Sequence, residues 1–490
     1  VSPVKWHYCE LLQSLFLENF AKPLYDWCEA HGLRLTGHVL HEDSLTCQTA
    51  MQGSLMRFYQ HMHDPGVDVL TEGNRGWWIV KQLSSAARQL GQEWLLSELY
   101  GCTGWQMSFE SHKAVGAWQA LFGINLRCHH LSWVTMAGEA KRDYPASILH
   151  QSAWWRDYDY VESWFARLGV VLASGQPACD TLVVNPVESV WCQIHVGWAN
   201  SLSPTGPTVQ HLEQGHAELF QMIAGGQIDF DYGDEAMLAE LGGIESGDGG
   251  PTLRLGLARY RQVVVPRVVT LRSSTLALLE AFRAAGGTVI FAGDVPRFVD
   301  AVPSVRAKLL AAKSTTVPWS SEALRAALRP ALTLPVAVLD ADGRTCEAIF
   351  AQARRDGEQV ILALLNVDRQ TPVRVTVRLR ADGAVNELDC TDGASYAQPA
   401  RREGDWLCWE TDFAPSGERV YLVGEALADA PRPVASDAPA VSLAGPFAYR
   451  LEEPNVLVLD RPRWRLDGGE WHEADEVLRV DTAVRTAFEL

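Results

Sequence analysis

A chain of 490 residues, 47% hydrophobic and 21% charged, is long enough for about three globular domains, each burying its own core. Its formal charge of -18 argues against nucleic acid and anionic membranes, because a phosphate-bearing partner needs a basic face; it suits a neutral ligand such as a glycan. No apolar run reaches the length of a membrane span, since the best, residues 263–269, is interrupted by Pro266 and Arg267.

The first stretch repeats one pattern: helix, glycine stop, short apolar strand. Residues 20–31 are helical in pattern, Gly32 ends them, and 33–41 follow as a strand. Asp64-Pro65-Gly66 turns into a strand over 67–70. Helix 81–90 ends at Gly91 before strand 94–99, and helix 111–122 ends at Gly123 before strand 124–133. This alternation predicts a parallel sheet or barrel. Four strands are countable where a complete (β/α)8 barrel needs eight. Residues 1–157 are therefore expected to form the C-terminal half of such a barrel, its first strands lying outside this chain.

Residues 158–325 predict a flavodoxin-like α/β domain: helix 161–172, strand 181–184, helix 209–223, strand 228–232, strand 260–265, helix 275–285 and strand 288–292. No GxGxxG opens a helix there. Gly242, Gly243, Gly247, Gly249 and Gly250, set among polar residues, read as a loop. From about residue 332 the period falls to two, as in Val373, Val375, Val377 and Leu379, and Asp356-Gly357 marks a hairpin turn. Residues 326–425 thus predict an antiparallel β-sandwich. A Pro/Ala-rich linker over 426–442 precedes 443–490, expected to begin a further β domain. The fold class is multidomain α/β plus β.

The ten cysteines stand singly with no CxxC pair, which speaks against a zinc knuckle or a thioredoxin motif and mildly favours a reducing compartment. No signal peptide precedes the first helical residues, and cytoplasm and periplasm both stay open. Thirteen of the eighteen tryptophans and eleven of the fourteen histidines fall before residue 200, so a stacking site for a planar or sugar-like ligand is expected in the first domain.

Glu98 carries the strongest chemical signal. It closes strand 94–99, and Tyr100-Gly101-Cys102-Thr103-Gly104-Trp105 follows at once. In a barrel of this kind chemistry sits at the carboxyl ends of the strands. A carboxylate ringed by flat apolar side chains meets the needs of glycosidic cleavage. Along 33–43, alternation places Thr36, His38, Leu40 and Glu42 on one face and Leu35, Gly37, Val39 and His41 on the other. The more polar first set is expected to point into the barrel mouth, making His38 a sugar contact and Glu42 a second carboxylate. One group would protonate the leaving oxygen while the other attacks carbon or activates water. The plain alternative for Glu42 is a solvated loop residue or a neighbour of a helix N-cap.

His129 and His130 are adjacent, so at most one lines the pocket, and a metal centre using both is disfavoured. No metal ligand is assigned. His130, Trp133 and Trp105 are expected to contact the sugar, and Asp143 lies in the long loop after the last strand, where barrel subsites form. Neither GxSxG nor GxxxxGK[ST] occurs.

Tyr25-Asp26-Trp27-Cys28-Glu29, Thr36-Gly37-His38 with Glu42, Pro65-Gly66-Val67-Asp68-Val69-Leu70, Ser97-Glu98-Leu99-Tyr100-Gly101, Gly104-Trp105, His130 and Arg142-Asp143-Tyr144-Pro145 together resemble family 106 glycoside hydrolases, the α-L-rhamnosidases and their relatives. The unit over 260–293 is similar to the flavodoxin-like domain of family 42 β-galactosidases. The resemblance implies hydrolysis of terminal glycosides, inversion by an acid and a base, and calcium near the sugar hydroxyls. It adds Asp68 to the sugar contacts. In family 42 and its clan the acid stands on the fourth barrel strand, which would precede residue 1. Either Glu42 is the acid, with Glu98 as base or nucleophile, or the acid lies outside this chain. The expectation is an α-L-rhamnoside hydrolase; the alternatives are a β-galactosidase-like retaining enzyme and a non-catalytic carbohydrate-binding fragment. A carbohydrate is the expected partner, and the flavodoxin-like domain is the expected surface for any oligomer.

Overall fold

A computed structural model of the chain describes residues 1–71, 73–130, 132–135, 146–247, 249–433, 442–450 and 461–489. These fall into two compact units, Val1–Arg432 and Pro433–Leu490.

The larger unit opens on helical turns that run from Pro3–Phe16 through a π-helical segment, Leu17–Ala21, into Lys22–Ala30. Four parallel strands follow in sheet order: β1 (Thr36–Gly37), β2 (Asp64–Asp68), β3 (Leu96–Leu99) and β4 (Leu126–His129). They form a curled half-barrel sheet. Helix Trp77–Leu90 joins β2 to β3 and buries Ile79, Val80, Leu83, Ala86 and Ala87 on its inner face. Gly91 ends it at φ 76, a left-handed conformation that costs glycine little. Helix Phe109–Leu121 joins β3 to β4, its first turn capped by the Ser108 hydroxyl accepting from the Ser111 amide.

A second, five-stranded parallel sheet runs in the order Thr315–Val317, Thr288–Ala292, Gln262–Val265, Thr181–Val184, Asp231–Gly233. Its central strands read as unbroken apolar runs because both faces are covered. Two antiparallel sheets of four and six strands share a core of Leu362, Leu364, Val375, Val377, Trp409 and Tyr421.

Four local expectations change. The strand expected over 33–41 shortens to Thr36–Gly37, the two residues that pair with Asp64 and Pro65 of β2. The glycines expected to form a loop instead build a hairpin, Gly242–Gly247 against Gly250–Leu255; Leu253 and Leu255 are fully buried and Ile244 packs on the same core. The later hairpin turns at Gly357-Glu358, one residue on, since Asp356 pairs with Gln359. In the smaller unit, Val477–Ala487 is a helix where strand was expected.

Candidate active site

The carboxyl ends of the four barrel strands gather His38, Asp68, Glu98 and His130. Asp68 and Glu98 are register partners on β2 and β3, so their side chains leave the same face of the sheet. One ligand atom each from His38, Asp68 and Glu98 lie within 4.8 Å of one another.

His38 is fixed at both ring nitrogens. Nδ1 stands 2.7 Å from the Val39 carbonyl and Nε2 stands 2.6 Å from Glu98 Oε2. Both partners accept hydrogen bonds, so the ring satisfies them by carrying two protons as imidazolium. Burial opposes that charge, but the Val39 carbonyl and the carboxylates of Glu98 and Asp68 outweigh it and raise the ring's pKa. From the other side His130 Nε2 lies 3.4 Å from Glu98 Oε1. Gly101 leaves room for this ring: a Cβ there would stand 3.0 Å from His130 Cγ. Asp68 is pushed above the ordinary carboxylate range, first by burial and then by Glu98 and Asp43, with His38 and His130 opposing.

Glu42 arrives differently from expectation. The left-handed turn at His41, not strand alternation, swings it inward, and it is 2% exposed against 23% for the Glu98 side chain. Its Oε2 accepts the backbone N–H of Asp68 at 2.7 Å. Burial pushes its carboxyl up to about 8, so it holds its proton at neutral pH. The hydroxyl of Tyr59, itself fully buried, has its pKa raised by burial and then by the Glu42 carboxylate.

Trp105 and Trp133 meet edge to face with ring centroids 5.9 Å apart; Trp105 is 37% exposed and Trp133 is buried. Tyr100, expected beside Glu98, turns left-handed at φ 72 into the core and donates to the His112 carbonyl at 3.2 Å. His129 points away from His130, as adjacent strand positions require, and bonds Glu162 at 3.1 Å. Arg127 bonds the same carboxylate. Against burial, His129 and Arg127 hold Glu162 down to about 2. Asp143 lies outside the described residues. Sequence reasoning missed Tyr59 and the Arg127–Glu162 pair; the only sequence signal for Glu162 is its place in the first turn of helix Asp159–Ala173.

Calcium takes 6–8 oxygen ligands. The site offers two carboxylates and an imidazole whose nitrogens are already engaged, so the calcium implied by resemblance finds no matching cage among these residues.

No protein-family model and no curated protein matches the sequence. Among solved structures, a rhamnosidase from Novosphingobium sp. PP1Y aligns at TM-score 0.63 and 17% identity, over 90% of this chain and 41% of that one. Its structural neighbours are glycoside hydrolases. A GH42 β-galactosidase, Gan42B, aligns at TM-score 0.55 and 11% identity over 86% of this chain and 68% of that one. The β-galactosidase of Bacillus circulans sp. alkalophilus gives 0.53 and 10% over the same shares. The chain thus spans under half the length of the rhamnosidase it resembles. At these identities the likeness is one of fold.

Proposed function

We propose that this chain is the part of a glycoside hydrolase that binds a terminal sugar and presents Glu98 to its anomeric centre, with an α-L-rhamnoside as first-choice substrate. The observation that carries the reading is the clamp on Glu98: a doubly bonded His38 on one oxygen and His130 on the other, at the carboxyl end of a barrel strand. The His38 ring nitrogen, 2.6 Å away, donates to Oε2 and fixes the direction of the carboxyl group. A held direction is what a group that attacks the anomeric carbon or takes a proton from water requires. Asp68, beside Glu98, is suited to bonding a sugar hydroxyl, and the exposed ring of Trp105 offers a flat apolar face. His38, Asp68, Glu98 and His130 occupy one wall, so the proton donor to the leaving oxygen belongs on the far side of the scissile bond.

The greater share of the GH42 chains that aligns favours a second reading, a β-galactosidase. Both readings are tested by one panel of aryl glycosides, with sugar binding measured in parallel. We expect turnover of the α-L-rhamnoside and its loss by roughly 100- to 10,000-fold in Glu98→Gln. Galactoside turnover alone would select the second reading. Sugar binding without turnover would make the chain a carbohydrate-binding module, and equal turnover by Glu98→Gln would remove the role assigned to that residue.

A further inference from the structure

Glu42 has the right chemistry for a proton donor and the wrong place. It is 2% exposed, whereas the side chains of Glu98, His38 and His130 retain 23%, 24% and 16%. A group that protonates a glycosidic oxygen has to come within hydrogen-bond reach of it, about 2.6–3.2 Å. Glu42 instead spends Oε2 on the Asp68 amide at 2.7 Å, 26 residues along the chain. Its own backbone carbonyl accepts from Gln48 Nε2 at 3.0 Å, which pins the segment from behind. The Asp68 amide is the last in β2, at the point where its pairing with β3 ends. The carboxyl therefore satisfies a backbone donor at a strand end and holds the backbone from which the Asp68 side chain leaves the sheet.

We infer that Glu42 is a positioning residue: its buried carboxyl holds the Asp68 amide and so aims the Asp68 side chain at Glu98 and the sugar, without touching substrate. The kinetic arm of this inference rests on the glycosidase reading; its structural arm does not.

Glu42→Gln and Glu42→Ala separate positioning from acid catalysis. The amide oxygen of Gln accepts the same N–H; Ala cannot. On aryl α-L-rhamnosides, Glu42→Gln should stay within about tenfold of the parent, and Glu42→Ala should lose more, equally for good and poor leaving groups. If Glu42→Gln instead loses roughly 100-fold or more on a phenyl glycoside and recovers on a dinitrophenyl glycoside, Glu42 is the acid and the inference is wrong. Hydrogen exchange at the Asp68 amide reads the same point without turnover. It should stay slow in Glu42→Gln and quicken at least tenfold in Glu42→Ala; unchanged exchange in Glu42→Ala overturns the inference. A chain that hydrolyses no glycoside but shows this exchange pattern fails the glycosidase reading alone.

Discussion

His38 Nε2 stands 2.6 Å from Glu98 Oε2, and the same ring bonds the carbonyl of its own neighbour, Val39, through Nδ1. The second bond gives the first its direction. With Nδ1 committed to a backbone acceptor, the ring cannot rotate away from Glu98 without breaking both contacts.

The charge on His38 has a pH signature. Its folded pKa is raised, so the stabilisation from the His38–Glu98 pair is fully present below the ordinary histidine value, near 6.5, and is lost as pH rises through the raised value. Turnover of the best aryl glycoside should carry an alkaline limb at that pH. His38→Gln should remove the limb and lower kcat more than it changes KM, which a pH–rate series on both proteins would show.

Glu42 has the opposite linkage from a typical paired carboxylate. Its folded pKa, about 8, lies above the unfolded value of 4.5, so the preference for the neutral form stabilises the fold fully below 4.5 and is lost progressively up to 8. His38, Tyr59, Asp43 and Asp68 are the titratable groups that act on it. Glu42→Gln has no proton to lose. Thermal unfolding should show the variant gaining on the parent as pH rises from 5 to 8, by at most about 4 kcal/mol. A constant difference across that range would contradict the assignment.

Gly101 tests the other half of the clamp. Gly101→Ala would press a methyl group to 3.0 Å from His130 Cγ and 3.1 Å from Leu70 Cδ2, in a fold otherwise untouched. The ring must give way, so turnover should fall while circular dichroism stays as in the parent.

Trp105→Ala removes an exposed aromatic face that meets Trp133 edge-on. If the ring stacks on the sugar, KM should rise about tenfold, the worth of an aromatic contact of about 1.4 kcal/mol, with kcat little changed.

Away from the site, Arg57 is 4% exposed and bonds Glu188 at 2.5 Å, Asp234 at 3.0 Å and Glu10 at 3.0 Å. Arg57→Met would leave Asp234 in the interior without its ion-pair partner and Glu188 with Arg272 alone, and urea unfolding should show a loss of about 3–5 kcal/mol.

The half-barrel was legible because its helix stops are glycines that adopt conformations other residues resist: Gly32, Gly91 and Gly123 all have positive φ. Glu98, His38 and the opposed pair His129–His130 were legible because they sit on or next to short strands, where a period of two assigns faces. Glu42 was named for the right neighbourhood through the wrong geometry. Its inward turn depends on a left-handed His41, and its burial on an amide 26 residues away, and neither leaves a periodic trace. Tyr100 looked like a pocket ring for the same reason, since one positive φ reverses a side chain that alternation would have placed. The hairpin over 242–255 was hidden by its glycines, which masked the alternation of Leu253 and Leu255.

Each outer strand of the half-barrel has one hydrogen-bonded neighbour among the described residues, β2 for β1 and β3 for β4. The face that carries Glu98 also carries Cys128 and Leu126, both exposed, the latter by 37%. The floor beside Glu98 is therefore partly apolar, and the net charge of -18 is what opposes association through it, so solutions should cloud as salt screens the charge and clear as salt is withdrawn.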